Sequence, residues 1–286
     1  MTNIPPPPPP PPPMGNKQAV APAPSVDVSG MITVPQANPN AVYAWTIIGV
    51  EGWGKTSMVA HIPNVCIVQV GEETGYQSLL NAGRVPAVPT ANVRSWDQTI
   101  AVAEHLATSQ FDAIAWDAAG GLEQLCFDSV CAQHYKGDWD KFMSYAKGPD
   151  VAVPEWLRLL SIFERAKNNG KTVILLSHAQ IKPHNDPMLS ESYDRYIAAM
   201  NKRTWGATHK WTDEALFCTF LSDVEKEKGQ LKAKGRGGTQ RVIYSRRCDA
   251  YDAKDRLGLP EFMIAPENPA DVWNMIQSNR KANANV

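Results

Sequence analysis

The chain has 286 residues and a net charge of −1 at pH 7, with 43% hydrophobic and 20% charged residues. This composition is globular, and the near-zero charge excludes a protein that attracts nucleic acid through its whole surface, so any such contact needs a local patch. The five cysteines form no C-x-x-C pair and no zinc spacing, which favours reduced thiols. No apolar run reaches ~18 residues and the N-terminus does not resemble a signal peptide, so we expect a cytoplasmic protein without a membrane partner.

The first 40 residues are predicted to be a disordered, proline-rich tail. Residues 5–13 are nine consecutive prolines, which have no backbone N–H and favour an extended polyproline II rod. Such a rod is either a spacer or the ligand of a partner with an aromatic groove, and both interpretations stay open. The remainder is expected to form one domain, residues 41–280, with a frayed end over residues 281–286.

The stretch Gly49–Thr56 reads GVEGWGKT and has every fixed position of the phosphate-binding P-loop pattern, G-x-x-x-x-G-K-T. The apolar segment 42–48 precedes it as a buried strand, and residues 57–61 can continue it as a helix, which is the context the motif requires. Glycine lets backbone N–H groups turn toward phosphate oxygens, lysine reaches the β- and γ-phosphates, and the threonine hydroxyl is a ligand for Mg²⁺. The predicted nucleotide-binding residues are Gly49, Gly52, Gly54, Lys55, Thr56 and Ser57.

Three further buried strands end in polar residues. Residues 65–70 lead into the acidic turn GEETG at 71–75, residues 111–116 end at Asp117, and residues 171–176 end at Ser177 and His178. The carboxyl ends of parallel strands share one edge of a sheet, where ligands bind. Asp117 is therefore predicted to hold Mg²⁺ together with Thr56, in the manner of a Walker-B acid, and His178 to sense the γ-phosphate through a hydrogen bond.

Helices are predicted over residues 97–108, 118–133, 154–169 and 269–278 from apolar spacing and capping residues. Strands joined by helices imply a mainly parallel sheet flanked by helices. Residues 215–221 and 239–245 are predicted to form a C-terminal antiparallel strand pair, with a basic loop between them. The fold class is therefore α/β, with a mainly parallel sheet and an added antiparallel pair.

Two connections, residues 134–152 and 179–212, are predicted to be irregular or weakly helical. The first interleaves lysines with aromatic side chains, a pattern that suits single-stranded nucleic acid because bases stack while phosphates are neutralised. An ordinary loop whose aromatics pack on the domain explains the pattern equally well. The nucleic-acid candidates are Lys136, Trp139, Lys141, Phe142, Tyr145 and Lys147 in the first connection, and Lys202 and Arg203 in the second.

With GVEGWGKT, GEETG, AWD and LLSHAQ in this order, and AKDRLGLP near the end, the chain resembles the RecA-like P-loop ATPases over residues 40–280. In particular it resembles the small phage nucleotide-binding ATPases that include the Sak-type single-strand annealing proteins. The resemblance implies an Mg²⁺-dependent ATPase that acts on single-stranded DNA in phage-type recombination or annealing, inside a phage-infected or bacterial host cell. It also implies self-association into a ring or filament.

Several roles follow from this resemblance, residue by residue. Lys55 and Thr56 match the phosphate and Mg²⁺ residues, Asp117 the Walker-B acid, and His178 the sensor position. Glu73 matches the catalytic glutamate that polarises the attacking water, with Glu72 as the alternative. Lys254 and Arg256 are placed like residues that act on the nucleotide of a neighbouring subunit. Residues 134–152 and 179–205 occupy the places of the group's two DNA-facing loops. The chain departs from the group in having Gly71 where an acid is often found and in carrying no recognisable motif in these two segments.

Two other functions remain open from the sequence. The first is a nucleotide-gated scaffold or loader with little hydrolysis. Such a protein would bind ATP without turning it over, so a measured rate of ATP hydrolysis distinguishes it from an ATPase. The second is a small-molecule phosphotransferase, which would need an acceptor pocket and a lid. The basic loops and the absence of a short lid motif argue against this second function.

Overall fold

The computed structural model describes residues 33, 34, 36, 38, 40–225 and 234–283. Residues 41–286 belong to one compact unit. The predictions for the proline-rich tail, for most of the basic loop after residue 225 and for the last three residues lie outside the described part of the chain. Within that part, no helix is long and apolar enough to cross a membrane.

A single sheet contains the nine strands of the described residues. The strands are β1 (Ala44–Gly49), β2 (Val65–Val70), β3 (Thr90–Val93), β4 (Ala113–Asp117), β5 (Thr172–His184), β6 (Tyr193–Ala198), β7 (Glu214–Glu225), β8 (Lys234–Tyr244) and β9 (Phe262–Ile264). Their order is β3-β2-β4-β5-β1-β7-β8-β9, and β6 pairs with the outer half of β5. The strands from β3 to β7 in this order are parallel, whereas β8 and β9 are antiparallel additions. The predicted α/β fold class is confirmed.

Helices cover both faces of this sheet. They are α1 (Lys55–Ala60), α2 (Gly75–Asn81), α3 (Trp96–Ala107), α4 (Ala119–Tyr135), α5 (Trp139–Met143), α6 (Lys147–Asn168), α7 (Lys202–Trp211) and α8 (Pro269–Asn283), with a 3₁₀ turn at Ser144–Ala146. α3, α5 and α7 each begin after a residue whose side chain caps the helix. Ser95, for example, accepts a hydrogen bond from the backbone N–H of Gln98 and so caps α3.

The core has two layers, because successive side chains of a strand point to opposite faces of the sheet. Ile48 of β1 lies in the layer with α3, α4 and α6, where Trp116 of β4 and Trp156 and Phe163 of α6 are buried. Its neighbours Trp45 and Ile47 face α1 and α8. β1, β2 and β4 are buried along their whole length, as expected for central parallel strands, so they hold the site at their carboxyl ends in fixed positions.

The prediction of an irregular connection over residues 134–152 is wrong. α4 continues to Tyr135, α5 follows, and α6 begins at Lys147 with Pro154 inside it rather than at its first turn. Phe142 is fully buried, and a Cβ on Gly148 would lie only 2.4 Å from its ring. This close approach requires glycine and packs the start of α6 against α5, a tertiary contact that local propensity did not indicate.

The prediction of an irregular or weakly helical segment over residues 179–212 is wrong in part, because it missed two strands, whereas residues 185–192 are irregular and residues 202–211 are helical. β5 continues beyond the sheet edge to His184 and pairs with β6 in antiparallel register, from Ala179 opposite Ala198 to His184 opposite Tyr193. α7 then begins after Asn201, whose side chain accepts a hydrogen bond from the N–H of Arg203. One continuous strand therefore belongs to the parallel sheet at its buried, apolar end and to a hairpin at its more polar end.

Candidate nucleotide-binding site

The phosphate loop lies between β1 and α1, at the carboxyl edge of the sheet. Gly52 and Gly54 have φ angles of 73° and 101°, in the left-handed region that favours glycine. Gly49 is closely packed, since a Cβ there would lie 3.1 Å from the Cβ of Cys218 and 3.1 Å from Cδ of Lys55. The motif glycines are therefore required by backbone conformation and by space.

The Lys55 side chain folds back over this loop. Its ammonium group donates hydrogen bonds to the carbonyl oxygens of Gly49, at 2.8 Å, and Val50, at 3.1 Å. Burial lowers the pKa of Lys55, while neighbouring acidic groups including Asp117 and Glu73 oppose that shift. Because its acceptors are neutral carbonyls, the phosphate oxygens of a nucleotide offer this ammonium stronger, charge-assisted hydrogen bonds.

Thr56 and Asp117 meet at the metal position that the sequence predicts. The Thr56 hydroxyl donates to Oδ2 of Asp117 at 2.7 Å, and Asp117 is 4% exposed. Burial raises the pKa of Asp117, and the hydrogen bond from Thr56 opposes the shift. Both side chains present hard oxygen atoms, and Mg²⁺ is typically held by one or two such protein ligands together with water and phosphate. The residues therefore fit Mg²⁺.

The two adjacent glutamates point in different directions. Glu73 lines the same cavity as the phosphate loop, and its Oε1 accepts a hydrogen bond from the N–H of Gly75 at 3.0 Å. The Glu72 side chain is 87% exposed and lies 3.9 Å from Arg94. The geometry therefore favours Glu73 over Glu72 as the residue that faces a nucleotide.

His178 also lines this cavity, at the end of the parallel part of β5 and opposite Gly49 of β1 in the sheet. The neighbouring Ser177 is buried and donates to the carbonyl oxygen of His178 at 3.1 Å. That same carbonyl accepts a hydrogen bond of 2.8 Å from the N–H of Ala199, just before α7. His178 thus joins the cavity to the segment that leads into α7.

The cavity has a volume of about 460 Å³ and brings together residues from distant parts of the chain. The predicted residues Gly52, Gly54, Lys55, Thr56, Ser57, Glu73, Asp117 and His178 line it, whereas Gly49 is not a lining residue and packs against the Lys55 side chain. Further lining residues were not predicted from the sequence: Glu51, Trp53, Leu79, Arg84, Arg241, Glu267 and Pro269. Glu51 and Trp53 lie within the motif itself, but no local pattern marks Arg241, which enters from β8.

The nucleic-acid candidates of the first connection differ in their exposure. Phe142 is fully buried against Phe127, Tyr135 and Trp139, so its assignment as a base-stacking residue is wrong. Tyr145 is 92% exposed, with the Lys147 ammonium 6.0 Å from its ring centre. Trp139 is partly exposed, Lys136 is exposed at the end of α4, and Lys141 forms an ion pair with Asp138 at 2.8 Å.

Lys202 and Arg203, in the first turn of α7, are both exposed. Arg203 forms an ion pair of 2.6 Å with Asp150 near the start of α6. Because Asp150 is three residues from Lys147, this contact places the two predicted candidate segments next to each other on one surface. The sequence did not reveal this adjacency.

Lys254 does not have the free side chain that a residue reaching into a neighbouring subunit needs. Its ammonium donates to the carbonyl oxygens of His209, at 2.6 Å, and Thr212, at 2.5 Å, and so closes the carboxyl end of α7. Its assignment as a trans-acting residue is corrected to a structural one. Arg256 is exposed and forms an ion pair of 3.3 Å with Asp213. Asp213 binds the N–H of Ala44 at the start of β1, so both cations lie at the sheet edge opposite the phosphate loop.

The parallel sheet, the phosphate loop at its carboxyl edge and the acidic residues beside it define a P-loop nucleotide-binding protein. A family model described as an AAA domain matches residues 42–257, and the chain belongs to this family. Membership indicates a nucleotide-binding ATPase. No curated protein matches the chain.

Proposed function

We propose that this AAA-domain protein is an Mg²⁺-dependent ATPase that acts on single-stranded DNA. The observation that carries the ATPase part is the convergence of Lys55, Thr56, Asp117, Glu73 and His178 on one cavity at the carboxyl edge of the sheet. These residues come from the ends of β1, β2, β4 and β5, and each has the chemistry that phosphoryl transfer to water requires.

In this proposal the chain positions and stabilises the reacting groups. Backbone N–H groups of the phosphate loop and the Lys55 ammonium bind the phosphates. Mg²⁺, held by the Thr56 hydroxyl and the Asp117 carboxylate, would supply positive charge beside the phosphate oxygens. Glu73 orients the water and accepts its proton as the new P–O bond forms and the bond to the β-phosphate oxygen breaks. His178 donates a hydrogen bond to the γ-phosphoryl group as negative charge develops there.

The proposed DNA surface consists of Trp139, Tyr145, Lys147, Lys202 and Arg203. It is supported by two exposed aromatic rings beside exposed cations, which suit stacked bases and phosphates in a single strand. It also has a physical connection to the nucleotide site. Glu123 of α4, the helix that follows Asp117, accepts hydrogen bonds from the N–H of Asn201 at 2.9 and 3.0 Å. Together with the bond from Ala199 to His178, this ties the start of α7 to the cavity.

The narrower proposal is a Sak-type annealing or recombination ATPase of phage origin, which self-associates into a ring or filament. It is supported by the ordered motifs GVEGWGKT, GEETG, AWD, LLSHAQ and AKDRLGLP. A nucleotide-gated scaffold or loader is the alternative that the same cavity allows, since binding requires the phosphate loop whereas hydrolysis also requires Glu73. A small-molecule phosphotransferase is a weaker alternative.

ATPase rates with and without single-stranded DNA test the proposal directly. At low salt with Mg²⁺ we expect turnover, stimulation by single strands, and weaker stimulation by duplex of the same length. Lys55→Ala is the matched control, and its rate should fall by on the order of a hundredfold or more. ATP binding without turnover would favour the scaffold. Turnover that neither form of DNA changes, with no DNA binding, would contradict the recombination role.

A further inference from the structure

Arg241 of β8 reaches the nucleotide cavity from the side opposite to Glu73, Asp117 and His178. Its guanidinium lies 5.5 Å from the ring centre of Trp53 and donates through Nη1 to the Trp53 carbonyl oxygen at 3.3 Å. Through Nη2 it donates to the carbonyl oxygens of Pro266 and of Glu267, the latter at 2.8 Å. One side chain therefore connects the phosphate loop to the segment that precedes α8.

The contact with the Trp53 carbonyl has a consequence for phosphate binding. In a trans peptide the C=O of one residue and the N–H of the next point in opposite directions. The Trp53–Gly54 peptide is trans, so fixing the Trp53 carbonyl toward Arg241 directs the Gly54 N–H away from it. Gly54 has a φ of 101°, and this N–H belongs to the loop whose donors bind phosphate.

The Trp53 ring is itself anchored, which makes the connection rigid. It is 1% exposed, and its Nε1 donates to the carbonyl oxygen of Thr219 in β7 at 3.0 Å. The guanidinium therefore lies against an aromatic ring that burial and a hydrogen bond hold in place. Such a site favours arginine over lysine, because the planar guanidinium stacks on the ring and also serves several acceptors at once.

The second anchor of Arg241 lies outside the AAA-domain match, which ends at residue 257. The N–H of Ala265 donates a hydrogen bond of 2.9 Å to the backbone carbonyl of Arg241. Residues 265–267 therefore contact both the backbone and the side chain of this arginine. α8 follows directly and packs Trp273 against Trp45 of β1, with ring centres 5.1 Å apart. The C-terminal segment is thus held on the same face of the sheet as α1.

We propose that Arg241 is a positioning residue for phosphate binding. It holds the Trp53–Gly54 peptide in its binding orientation by bridging it to the Pro266–Glu267 segment. The C-terminal segment beyond the family match is, in consequence, part of the nucleotide site. This inference rests on the proposed function only in requiring that the cavity bind a nucleoside triphosphate.

Calorimetric binding of ADP and of inorganic tripolyphosphate, both with Mg²⁺, tests this role in the full chain. Arg241→Gln should weaken both ligands by a similar factor, roughly tenfold or more, since the loss of an oriented donor affects phosphate whether or not a nucleoside is attached. Arg241→Lys should recover part of the affinity. KM for ATP should rise with the ADP dissociation constant, while kcat changes much less. Arg158→Gln, an exposed arginine paired with Glu155 on α6, is the matched control and should change neither affinity.

Three results would overturn the inference. Unchanged affinity in a folded Arg241→Gln variant would leave Arg241 with a stabilising role alone. Weaker ADP binding with unchanged tripolyphosphate binding would mean direct contact with the nucleoside instead. If Arg241→Gln does not fold, parental affinity for both ligands in a folded Arg241→Lys variant would be equally decisive. Failure of the parent to bind either ligand would remove the proposed function itself, whereas equal binding by parent and variant removes this inference alone.

Discussion

The Thr56 hydroxyl donates a hydrogen bond of 2.7 Å to the Asp117 carboxylate, although 61 residues separate them in the chain. The contact joins the start of α1, the helix that follows β1, to the carboxyl end of β4. In the sheet β4 lies two strands from β1. It places two hard oxygen groups beside the phosphate loop, where burial raises the pKa of the acid. Ionisation of Asp117 is therefore favoured when a cation is bound next to it.

Asp117→Asn tests this site, because the amide keeps the shape of the side chain and removes its charge. We expect ATP hydrolysis to fall by on the order of a hundredfold and the Mg²⁺ requirement to shift to higher concentration. A magnesium titration of the ATPase rate measures both. Asp112→Asn, at an exposed residue just before β4, is the control and should behave like the parent. A parental magnesium profile for Asp117→Asn would contradict the assignment.

Glu73→Gln and Glu72→Gln form a matched pair of neighbouring substitutions. Glu73 faces the cavity, so its amide variant should bind ATP normally and lose most of its turnover, since only the group that orients water is altered. Glu72 is exposed, and its variant should retain both properties. Nucleotide binding by calorimetry and single-turnover hydrolysis separate the two effects. The opposite result, an inactive Glu72 variant with an active Glu73 variant, would assign the water-orienting role to Glu72.

Tyr145 and Lys147 separate stacking from charge in the proposed DNA surface. Tyr145→Ala should weaken binding of a single strand by on the order of tenfold, because a stacked base contributes ~1–3 kcal/mol, and it should leave the salt dependence nearly unchanged. Lys147→Gln should weaken binding and reduce the salt slope by about 0.7, since one fewer phosphate is neutralised and fewer counterions are released from the single strand. Fluorescence anisotropy over a salt series measures both quantities. Tyr145→Phe, which keeps the ring, should bind like the parent, and parental affinity in Tyr145→Ala would exclude this surface.

Glu214 predicts a pH-dependent stability. It is fully buried at the start of β7, and burial raises its pKa to about 8, with the nearby Asp255 charge adding to the shift and amide hydrogen bonds from Arg256 and Leu257 opposing it. The folded protein keeps this carboxyl neutral where the unfolded chain ionises, from pH ~4.5 upward. Its contribution to stability is therefore complete below pH ~4.5 and is lost as the pH rises to about 8.

Denaturant unfolding of the parent and of Glu214→Gln across pH 5–8 checks this directly. The free energy of unfolding of the parent should fall relative to that of the variant by roughly 1.4 kcal/mol per pH unit. The amide retains an oxygen for the two backbone donors and carries no titrating proton. Parallel curves for the two proteins would show that Glu214 titrates near its ordinary value.

Lys254→Met should affect stability rather than activity. The substitution removes the hydrogen bonds to the last carbonyls of α7, so the free energy of unfolding should fall by about 1–2 kcal/mol while ATP hydrolysis per folded molecule stays unchanged. Thermal unfolding and ATPase assays on the same preparation measure the two. Restored activity on mixing inactive Lys254→Met with Lys55→Ala would instead indicate that Lys254 acts across subunits.

The sequence by itself determined the elements whose signal is local. GVEGWGKT specifies a strand, a glycine-rich turn and a helix within a short segment, because left-handed backbone at Gly52 and Gly54 and a continuous apolar run before them need no distant partner. The placement of Glu73, Asp117 and His178 beside the phosphate loop was also predictable, since the carboxyl ends of parallel strands share one edge of the sheet. The mainly parallel fold and its antiparallel addition were predictable for this reason.

Tertiary structure decided everything that depends on contacts between distant segments. Arg241 reaches Trp53 across 188 residues, and nothing near either residue marks the other. Phe142 has the same local pattern of aromatics and lysines as Tyr145, yet one is buried against α4 and the other exposed, because packing of α5 on α4 and α6 selects which ring turns inward. The sequence around Lys254 indicates a free cation, whereas in the fold its ammonium group binds the carbonyl oxygens at the carboxyl end of α7. Residue type and spacing set local conformation, whereas burial and hydrogen-bond partners are decided only when distant segments of the chain pack together.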